Sequence, residues 1–195
     1  MITGIQTPFL IEKLQKLDAL HRVVFSAACC ERLLPNYTAF HKEENWGDPN
    51  VLRLALDRVW ECLEDGELPK EGLDQLISDC NDIIPDTENF STPLVSYALD
   101  AGTAVVSTLE CCKNGRVESA VEVAVFSRDT VFMALSAQGW SDDKMADSPL
   151  MKRELEKQEE DLDVLLEQQE LTTALVLRFR HAWESQNCGL SNINL

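Results

Sequence analysis

Proline placement constrains the fold of this 195-residue chain more than any other feature of its sequence. Four of the seven prolines directly follow a residue whose side-chain oxygen can cap a helix: Thr7-Pro8, Asp48-Pro49, Thr92-Pro93 and Ser148-Pro149. Such an oxygen accepts a hydrogen bond from an amide of the first turn, and proline at the next position loses no helical hydrogen bond. Each pair therefore predicts the start of an α-helix. The other prolines, Pro35, Pro69 and Pro85, fall between apolar-periodic segments and predict helix ends or starts.

Apolar residues recur at helical spacing between these prolines, as in the stripe of Leu52, Leu56 and Val59. The predicted helices cover residues 9–17, 18–34, 36–44, 51–63, 70–83, 93–112, 116–138 and 149–185. The last exceeds the usual length of a globular helix, so we expect a break within 168–172, with the first half on the surface and the second half buried. The sequence predicts an all-α fold, a single domain over residues 1–195. We expect a bundle of about seven to nine helices packed around segments 18–34, 116–138 and 171–183.

One stretch allows two interpretations. Val121, Val123 and Val125 alternate with other residues, which is typical of a β-strand. The same residues also fit the apolar face of a helix, and the window 116–138 contains no residue that breaks one. Gly139 follows this window and is suited to end a helix. We therefore predict a helix there.

The chain has 34 acidic and 17 basic residues, which gives a formal net charge of −17. Nucleic-acid binding depends on Lys and Arg that neutralise phosphates, and no basic run is present. Attraction to an anionic membrane surface needs the same residues, and no uncharged apolar run approaches the ~18 residues of a membrane-spanning helix. The sequence thus argues against nucleic acid and membrane as partners. The acidic surface either keeps the protein soluble or attracts a basic partner protein.

The seven cysteines are an odd number, and none are spaced as Cys-x-x-Cys. Two adjacent pairs, Cys29-Cys30 and Cys111-Cys112, lie in predicted helices, where neighbouring side chains point about 100° apart and cannot readily bind one metal. Residues 1–9 lack the basic region of a signal peptide. Reduced thiols in the cytoplasm are the simplest explanation. The sequence predicts no structural metal and no cofactor.

Two enzyme classes suit a helical chain, and both lack part of their site here. A carboxylate-bridged di-metal centre needs two Glu-x-x-His motifs, whereas only Asp18-x-x-His21 approximates one. A Cys-His nucleophile pair would join His21 to Cys29 or Cys30. Reactive cysteines need an electropositive, partly exposed setting, and this segment is apolar. Because Gly-rich phosphate loops and Gly-x-Ser-x-Gly are also absent, no catalytic constellation is recognisable.

A polar cluster lies where the apolar segment 18–34 ends. Glu31, Arg32, Asn36 and Tyr37 could line a small-molecule pocket, with Arg32 binding a carboxylate and Tyr37 forming a flat wall. In the structural alternative, Arg32 pairs with an acid on a neighbouring helix and Asn36 caps the next helix. Glu122 lies in an otherwise apolar helix. If it faces outward it is merely solvated, but we predict that Glu122 and Arg32 are both substantially buried and pair directly or through one shared partner.

The segment after Pro149 has like charges one turn apart, at Glu156 and Glu160, Glu159 and Asp163, and Asp163 and Glu167. Each such pair destabilises an isolated helix by roughly 0.2–0.5 kcal/mol. Either the acids are simply solvated, or they await a basic partner.

The motif Cys30-Glu31-Arg32-x-x-Pro35-Asn36-Tyr37 resembles that of the YjaG-like proteins, a family of uncharacterised bacterial proteins. Further similar stretches extend almost to both ends of the chain: Gly47-Asp48, Leu56-Asp57, Trp60-Glu61, Leu63, Ile84-Pro85, Phe90, Asp100-Ala101, Ala120-Val121-Glu122-Val123, Thr130-Val131 and Ser191-Asn192-Ile193. The resemblance implies an all-helical fold and a bacterial cytoplasmic protein. It brings no known activity, cofactor or catalytic residue.

Two classes of function follow from the sequence. The favoured one is a non-enzymatic interaction or regulatory module that uses an acidic helical surface. The alternative is a small-molecule-binding protein or enzyme with a pocket around Glu31, Arg32, Asn36, Tyr37 and Glu122. Partner identity and oligomeric state do not follow from these residues.

Overall fold

The computed structural model describes residues 7–187 and 191–195, with the side chains of Thr7 and of 183–187 outside the description. Within these residues it has nine α-helices: α1 Thr7–Lys16, α2 Ala19–Glu44, α3 Pro49–Glu64, α4 Leu73–Asp82, α5 Leu94–Asn114, α6 Val117–Ala137, α7 Asp142–Met145, α8 Pro149–Glu167 and α9 Thr173–Asn187. A 3-10 turn, Thr87–Asn89, precedes α5. The described part contains no strand, so the all-α prediction is confirmed, as is the helix across the valine alternation.

The helix starts predicted from proline are confirmed. The Asp48 carboxylate accepts from the Asn50 amide at 2.9 Å, and Ser148 Oγ accepts from the Met151 amide at 3.1 Å. Thr92 Oγ1 accepts from the Leu94 amide at 3.3 Å, and α1 begins at Thr7. These bonds satisfy amides that have no acceptor within the helix.

Pro35 does not separate two helices, contrary to our prediction, and segments 18–34 and 36–44 form the single helix α2. Proline has no amide to donate to the carbonyl of Glu31 one turn earlier, which opens the helix locally. At this opening the neighbouring carbonyl, that of Arg32, accepts the backbone N–H of Asn192 at 3.1 Å. The C-terminal residues therefore bind the helix where the proline weakens it.

The centre of the bundle consists of α2, α5 and α6. Helix α5 approaches its neighbours closely because it is rich in small residues such as Ala98, Ala101 and Ala104, all fully buried. At Gly102 of α5, an added Cβ would lie 2.7 Å from Ile84 Cγ1. The central segments predicted from the sequence, 18–34, 116–138 and 171–183, do not include α5.

The break predicted after residue 167 is confirmed, but the burial predicted on its two sides is wrong. Helix α9, which lies on α2 and α3, buries Val176 and Phe179 yet leaves Leu177 38% exposed. The side chain of Trp183 lies outside the described residues. Helix α8 covers α6, α2 and α1, and it has an extensive buried face. No helix of the described part combines the length and hydropathy needed to cross a membrane.

Candidate functional site

The two adjacent charges of the predicted cluster belong to different networks. Glu31 accepts two hydrogen bonds from the Arg53 guanidinium, at 2.8 and 3.0 Å, and a third from Trp60 Nε1 at 2.7 Å. These bonds join α2 to α3. Because successive residues of a helix point about 100° apart, Arg32 faces another neighbour.

Arg32 is bound to helix α8. Its Nε and Nη2 donate to the two oxygens of Glu154 at 3.3 and 3.0 Å, and its Nη1 lies 3.2 Å from Asp161 Oδ2. The three side chains are 2%, 2% and 5% exposed, in that order. Burial alone would lower the pKa of Arg32, but Glu154 and Asp161 raise it well above its usual range. The structural alternative, in which Arg32 pairs with an acid on a neighbouring helix, is confirmed.

The predicted pairing of Glu122 with Arg32 is wrong. Glu122 is exposed, and one of its carboxylate oxygens accepts from Ser107 Oγ at 3.2 Å. Helix α6 turns the adjacent Val123 inward, so the apolar residues around Glu122 in sequence do not surround it in space.

Asn36 and Tyr37 have internal partners. Asn36 does not cap a helix as the structural alternative supposed: it lies inside α2, and its Nδ2 donates to Asn192 Oδ1 at 3.1 Å. Tyr37 donates its hydroxyl to the carbonyl of Ile83 at 2.6 Å, and burial raises its pKa to about 12. An open groove of about 640 Å³ does pass this region, between α2 and α3, and its walls include Glu31 and Arg53. Arg32, Asn36, Tyr37 and Glu122 do not line it.

The histidine and cysteine candidates have structural roles. Asp18 caps α2: its Oδ1 accepts a hydrogen bond from the backbone N–H of His21 at 2.9 Å. The same oxygen lies 2.8 Å from the ring Nδ1 of His21. Cys29 and Cys30 are fully buried, and burial raises the pKa of the Cys29 thiol to about 12. The six cysteines within the described residues are free, whereas Cys188 lies outside them. Residues 7–187 and 191–195 contain no cluster of metal-binding side chains.

The most extensive buried polar arrangement is one that the sequence analysis missed. We call it the α8 polar network, and its members are Arg32, Arg128, Glu154, Lys157, Gln158 and Asp161. Gln158 occupies its centre, since its Nε2 donates to Glu154 at 2.8 Å and its Oε1 accepts from Arg128 Nε at 2.9 Å. Lys157 Nζ donates to Asp161 at 2.6 Å. The spacing of 154, 158 and 161, on the same face as the buried Leu162 and Leu165, was the available signal.

Two openings flank this network on opposite sides of α8. The α8–α9 groove, of about 340 Å³, is lined by Lys157, Glu160, Asp161, Asp163, Val164, Glu167, Arg178, Phe179 and Ala182. The α1–α8 cavity, of about 240 Å³, is lined by Phe9, Leu10, Lys13, Arg128, Leu155, Gln158, Glu159 and Leu162. The groove is lined by four carboxylates, two cations and three apolar side chains, whereas the cavity is lined by four apolar side chains, two cations, one carboxylate and one amide.

Comparison with known proteins finds relatives over nearly the whole chain. The profile of the family described as "Protein of unknown function (DUF416)" matches residues 10–195. "Uncharacterized protein YjaG" of Escherichia coli K12 is 30% identical over 187 residues, which are 94% of each chain. An uncharacterized protein of Haemophilus influenzae is 28% identical over 189 residues, which are 94% of this chain and 95% of the relative.

A solved structure has the same fold. The crystal structure of a DUF416 family protein from Shewanella baltica OS155 superposes with a TM-score of 0.85 at 29% identity. The superposition covers 95% of this chain and 97% of that one. The resemblance to the YjaG-like proteins is therefore confirmed.

Proposed function

Because this chain belongs to the DUF416 family, whose function is unknown, we propose a function from its structure: a non-enzymatic interaction module that binds a basic segment of a partner protein at the α8–α9 groove. The single observation that carries the proposal is the chemistry of this groove. Its α8 wall has four carboxylates, and its floor includes the apolar side chains of Val164 and Phe179. A lysine or arginine combines the aliphatic stem and the cationic head that such a surface accommodates.

The carboxylates best placed for this role are Glu160 and Glu167. Both are exposed, and neither has an ion pair or side-chain hydrogen bond among the described residues. Seven residues of α-helix place them about 10 Å apart along α8 on one face. Val164 lies between them, four residues after Glu160. The stem of a basic side chain would pack on Val164 and Phe179 while its head binds one of the two acids.

The α8 polar network supports this role because it holds the acidic helix in a fixed position. Repulsion among exposed acids works against α8, and the bonds from Arg32 to Glu154 and Asp161 hold its inner face to α2. A binding surface on a rigid element loses less conformational freedom when the partner arrives.

The same proposal places the protein in the cytoplasm and excludes nucleic acid as a partner. Six free cysteines among the described residues suit a reducing compartment. The net charge of −17 disfavours a polyanionic partner. The absence of catalysis is supported by the polar cluster at 31–37, whose side chains Arg32, Asn36 and Tyr37 already bind groups of the protein itself.

The experiment is a quantitative pull-down from bacterial lysate with the tagged protein and its Glu160→Gln/Glu167→Gln variant. We expect specific partners to be lost from the variant, and their captured amount to fall as salt rises, because the contacts are between exposed charges. The matched control is Glu71→Gln/Glu88→Gln, which removes two exposed acids elsewhere. Equal capture by the wild type and the α8 variant would contradict the proposal.

A further inference from the structure

The α8 polar network has one more positive charge than negative charges. Its cations are Arg32, Arg128 and Lys157, and its anions are Glu154 and Asp161. Arg32 binds both carboxylates, and Lys157 binds Asp161 at 2.6 Å. The surplus charge is therefore that of Arg128. Arg128 is half-buried, and Glu154 and Asp129 act on its charge only from beyond direct contact.

The guanidinium of Arg128 is only partly occupied. Its Nε donates to Gln158 at 2.9 Å, and within the described residues its two Nη atoms make no hydrogen bond and no carboxylate lies within ion-pair distance. Burial lowers the pKa of Arg128, and Glu154 offsets this in part from beyond direct contact. By comparison, Arg53 and Arg180 each bind two carboxylates. Two donors of a half-buried arginine are thus available to a ligand.

Arg128 is one of the residues that line the α1–α8 cavity. Four of the residues that line it are apolar: Phe9, Leu10, Leu155 and Leu162. The second cation in the cavity wall, Lys13, already binds Asp163 and lies 3.6 Å from Glu159, so its charge is neutralised. Within the described residues, the cavity therefore combines four apolar side chains and the polar Gln158 and Glu159 with one guanidinium, that of Arg128, that has no carboxylate in contact.

The volume defines the size of a fitting ligand. The cavity encloses about 240 Å³, whereas roughly 150 Å³ of apolar cavity holds one benzene molecule. The volume therefore leaves space for a carboxylate beside a ring or a medium-length alkyl chain.

We propose that the α1–α8 cavity binds a small monocarboxylate with an apolar body, the carboxylate on the Nη atoms of Arg128 and the hydrocarbon against Phe9, Leu155 and Leu162. A carboxylate matches the planar fork of a guanidinium and forms two parallel hydrogen bonds with it. One negative charge neutralises the surplus of the network. A second would face Glu159 across the cavity, so dianions bind more weakly.

The acidity of the whole chain does not prevent such binding. At physiological ionic strength, charges beyond about 8 Å are largely screened, and the local guanidinium then dominates. The site is also independent of the proposed interaction surface, because the α8–α9 groove lies on the other side of α8 and shares no lining residue with the cavity.

The test is calorimetric titration of the full chain with octanoate and with phenylacetate, alongside octylamine and inorganic phosphate. We expect at least one carboxylate to bind and neither octylamine nor phosphate to do so. Arg128→Gln should weaken carboxylate binding at least tenfold while retaining a donor for Gln158. The matched control is Arg116→Gln, which also replaces an arginine by glutamine. Arg116 is exposed and directly precedes α6, the helix of Arg128, so its substitution should leave the affinity for carboxylates unchanged.

A second variant distinguishes binding from general damage to the fold. Leu155→Trp fills the cavity and keeps Arg128, so it should abolish carboxylate binding with the helical circular dichroism spectrum retained. The inference is overturned if neither carboxylate binds the wild-type protein, if Arg128→Gln and Leu155→Trp both bind as tightly as wild type, or if phosphate binds as well as the carboxylates.

Discussion

Helix α2 contacts α5 and α8 in different ways. Towards α5 it presents small apolar residues and thiols, with a polar contact of 3.2 Å between Cys30 Sγ and Thr108 Oγ1. Towards α8 it presents Arg32, which binds Glu154 and Asp161. Apolar packing tolerates small shifts, whereas the ion pairs require a defined register. The α5 side therefore builds the core, and the α8 side fixes the position of the helix that flanks both openings.

The acidic side chains that are shielded from solvent on α8 and on α5 also differ in whether a cation contacts them. Glu154 and Asp161 have cations in contact, but Asp100, on α5, has none among the described residues. Its partner is the hydroxyl of Thr130, which donates to it at 2.8 Å. Burial raises the pKa of Asp100 to about 7, and the nearby Asp129 contributes in the same direction. The buried carboxylates of α8 are thus compensated by cations, whereas the half-buried carboxylate of Asp100 on α5 is not.

The largest expected effect comes from removing the cation on the α8 side. Arg32→Ala leaves Glu154 buried without a cation in contact and Asp161 with Lys157 alone, which should cost about 3–5 kcal/mol of unfolding free energy. Urea denaturation followed by circular dichroism measures it. The control is Arg58→Ala, which breaks an exposed pair with Glu61 and should cost less than about 1 kcal/mol. Similar costs for the two variants would show that the network is not what holds α8.

The raised pKa of Asp100 should make the unfolding free energy depend on pH. Since the pKa of Asp100 is about 7 when folded and about 3.9 when unfolded, the folded state binds its proton more tightly. The unfolding free energy should therefore fall as pH rises from 4 to 7. Asp100→Asn keeps an acceptor for Thr130 and removes that fall. The unfolding free energy of this variant should match that of wild type near pH 4 and exceed it by about 2–4 kcal/mol at pH 8.

Denaturation at both pH values checks this prediction. Asp82→Asn, an exposed acid near the end of α4, serves as the control and should behave like wild type at both. If the difference in unfolding free energy between wild type and Asp100→Asn is the same at pH 4 and at pH 8, Asp100 is compensated after all.

How far the sequence predicts this molecule depends on whether a feature is local. The starts of α3, α5 and α8 follow from proline and a capping side chain, because both act within one turn. Pro35 misled the prediction, since a proline in mid-helix is tolerated when another segment binds the opened turn. Here that segment is Asn192, which is far away along the chain.

The candidate site was predictable only in part, for the same reason. The sequence identified Arg32 as a residue that needs an acid, but Glu154 and Asp161 lie 122 and 129 positions away. Glu122 was chosen from its apolar neighbours in sequence, and helix geometry places those neighbours on another side. The polar stripe of α8 was visible in the sequence, yet nothing local distinguishes it from a solvated face.

On α5, the addition of a single methyl group should lower the unfolding free energy. In Gly102→Ala the new Cβ would lie 2.7 Å from Ile84 Cγ1, and overpacking of this kind costs about 1–3 kcal/mol. The measurement is again urea denaturation. Combining the change with Ile84→Ala should recover part of the loss, because that substitution removes the atom in the way. Strict additivity of the two substitutions would show that they do not touch.

The smallest effects should distinguish two kinds of exposed acid on α8. Glu159 and Asp163 contact Lys13, whose side chain is only 11% exposed, whereas Glu156 and Glu160 have no described partner. Glu159→Gln/Asp163→Asn should therefore lower stability by roughly 1 kcal/mol, since it leaves a largely buried ammonium without its negatively charged partners. Glu156→Gln/Glu160→Gln instead removes a like-charge pair and should raise stability by roughly 0.2–0.5 kcal/mol.

Both variants remove two negative charges from one helix, so each is the control for the other. Thermal melting at low and at physiological salt measures the difference, and the gain of the second variant should shrink as salt screens the repulsion. The loss of the first should persist, because Lys13 is shielded from solvent. If the two variants shift the melting temperature in the same direction, net charge alone governs this face, and Lys13 does not connect α1 to α8.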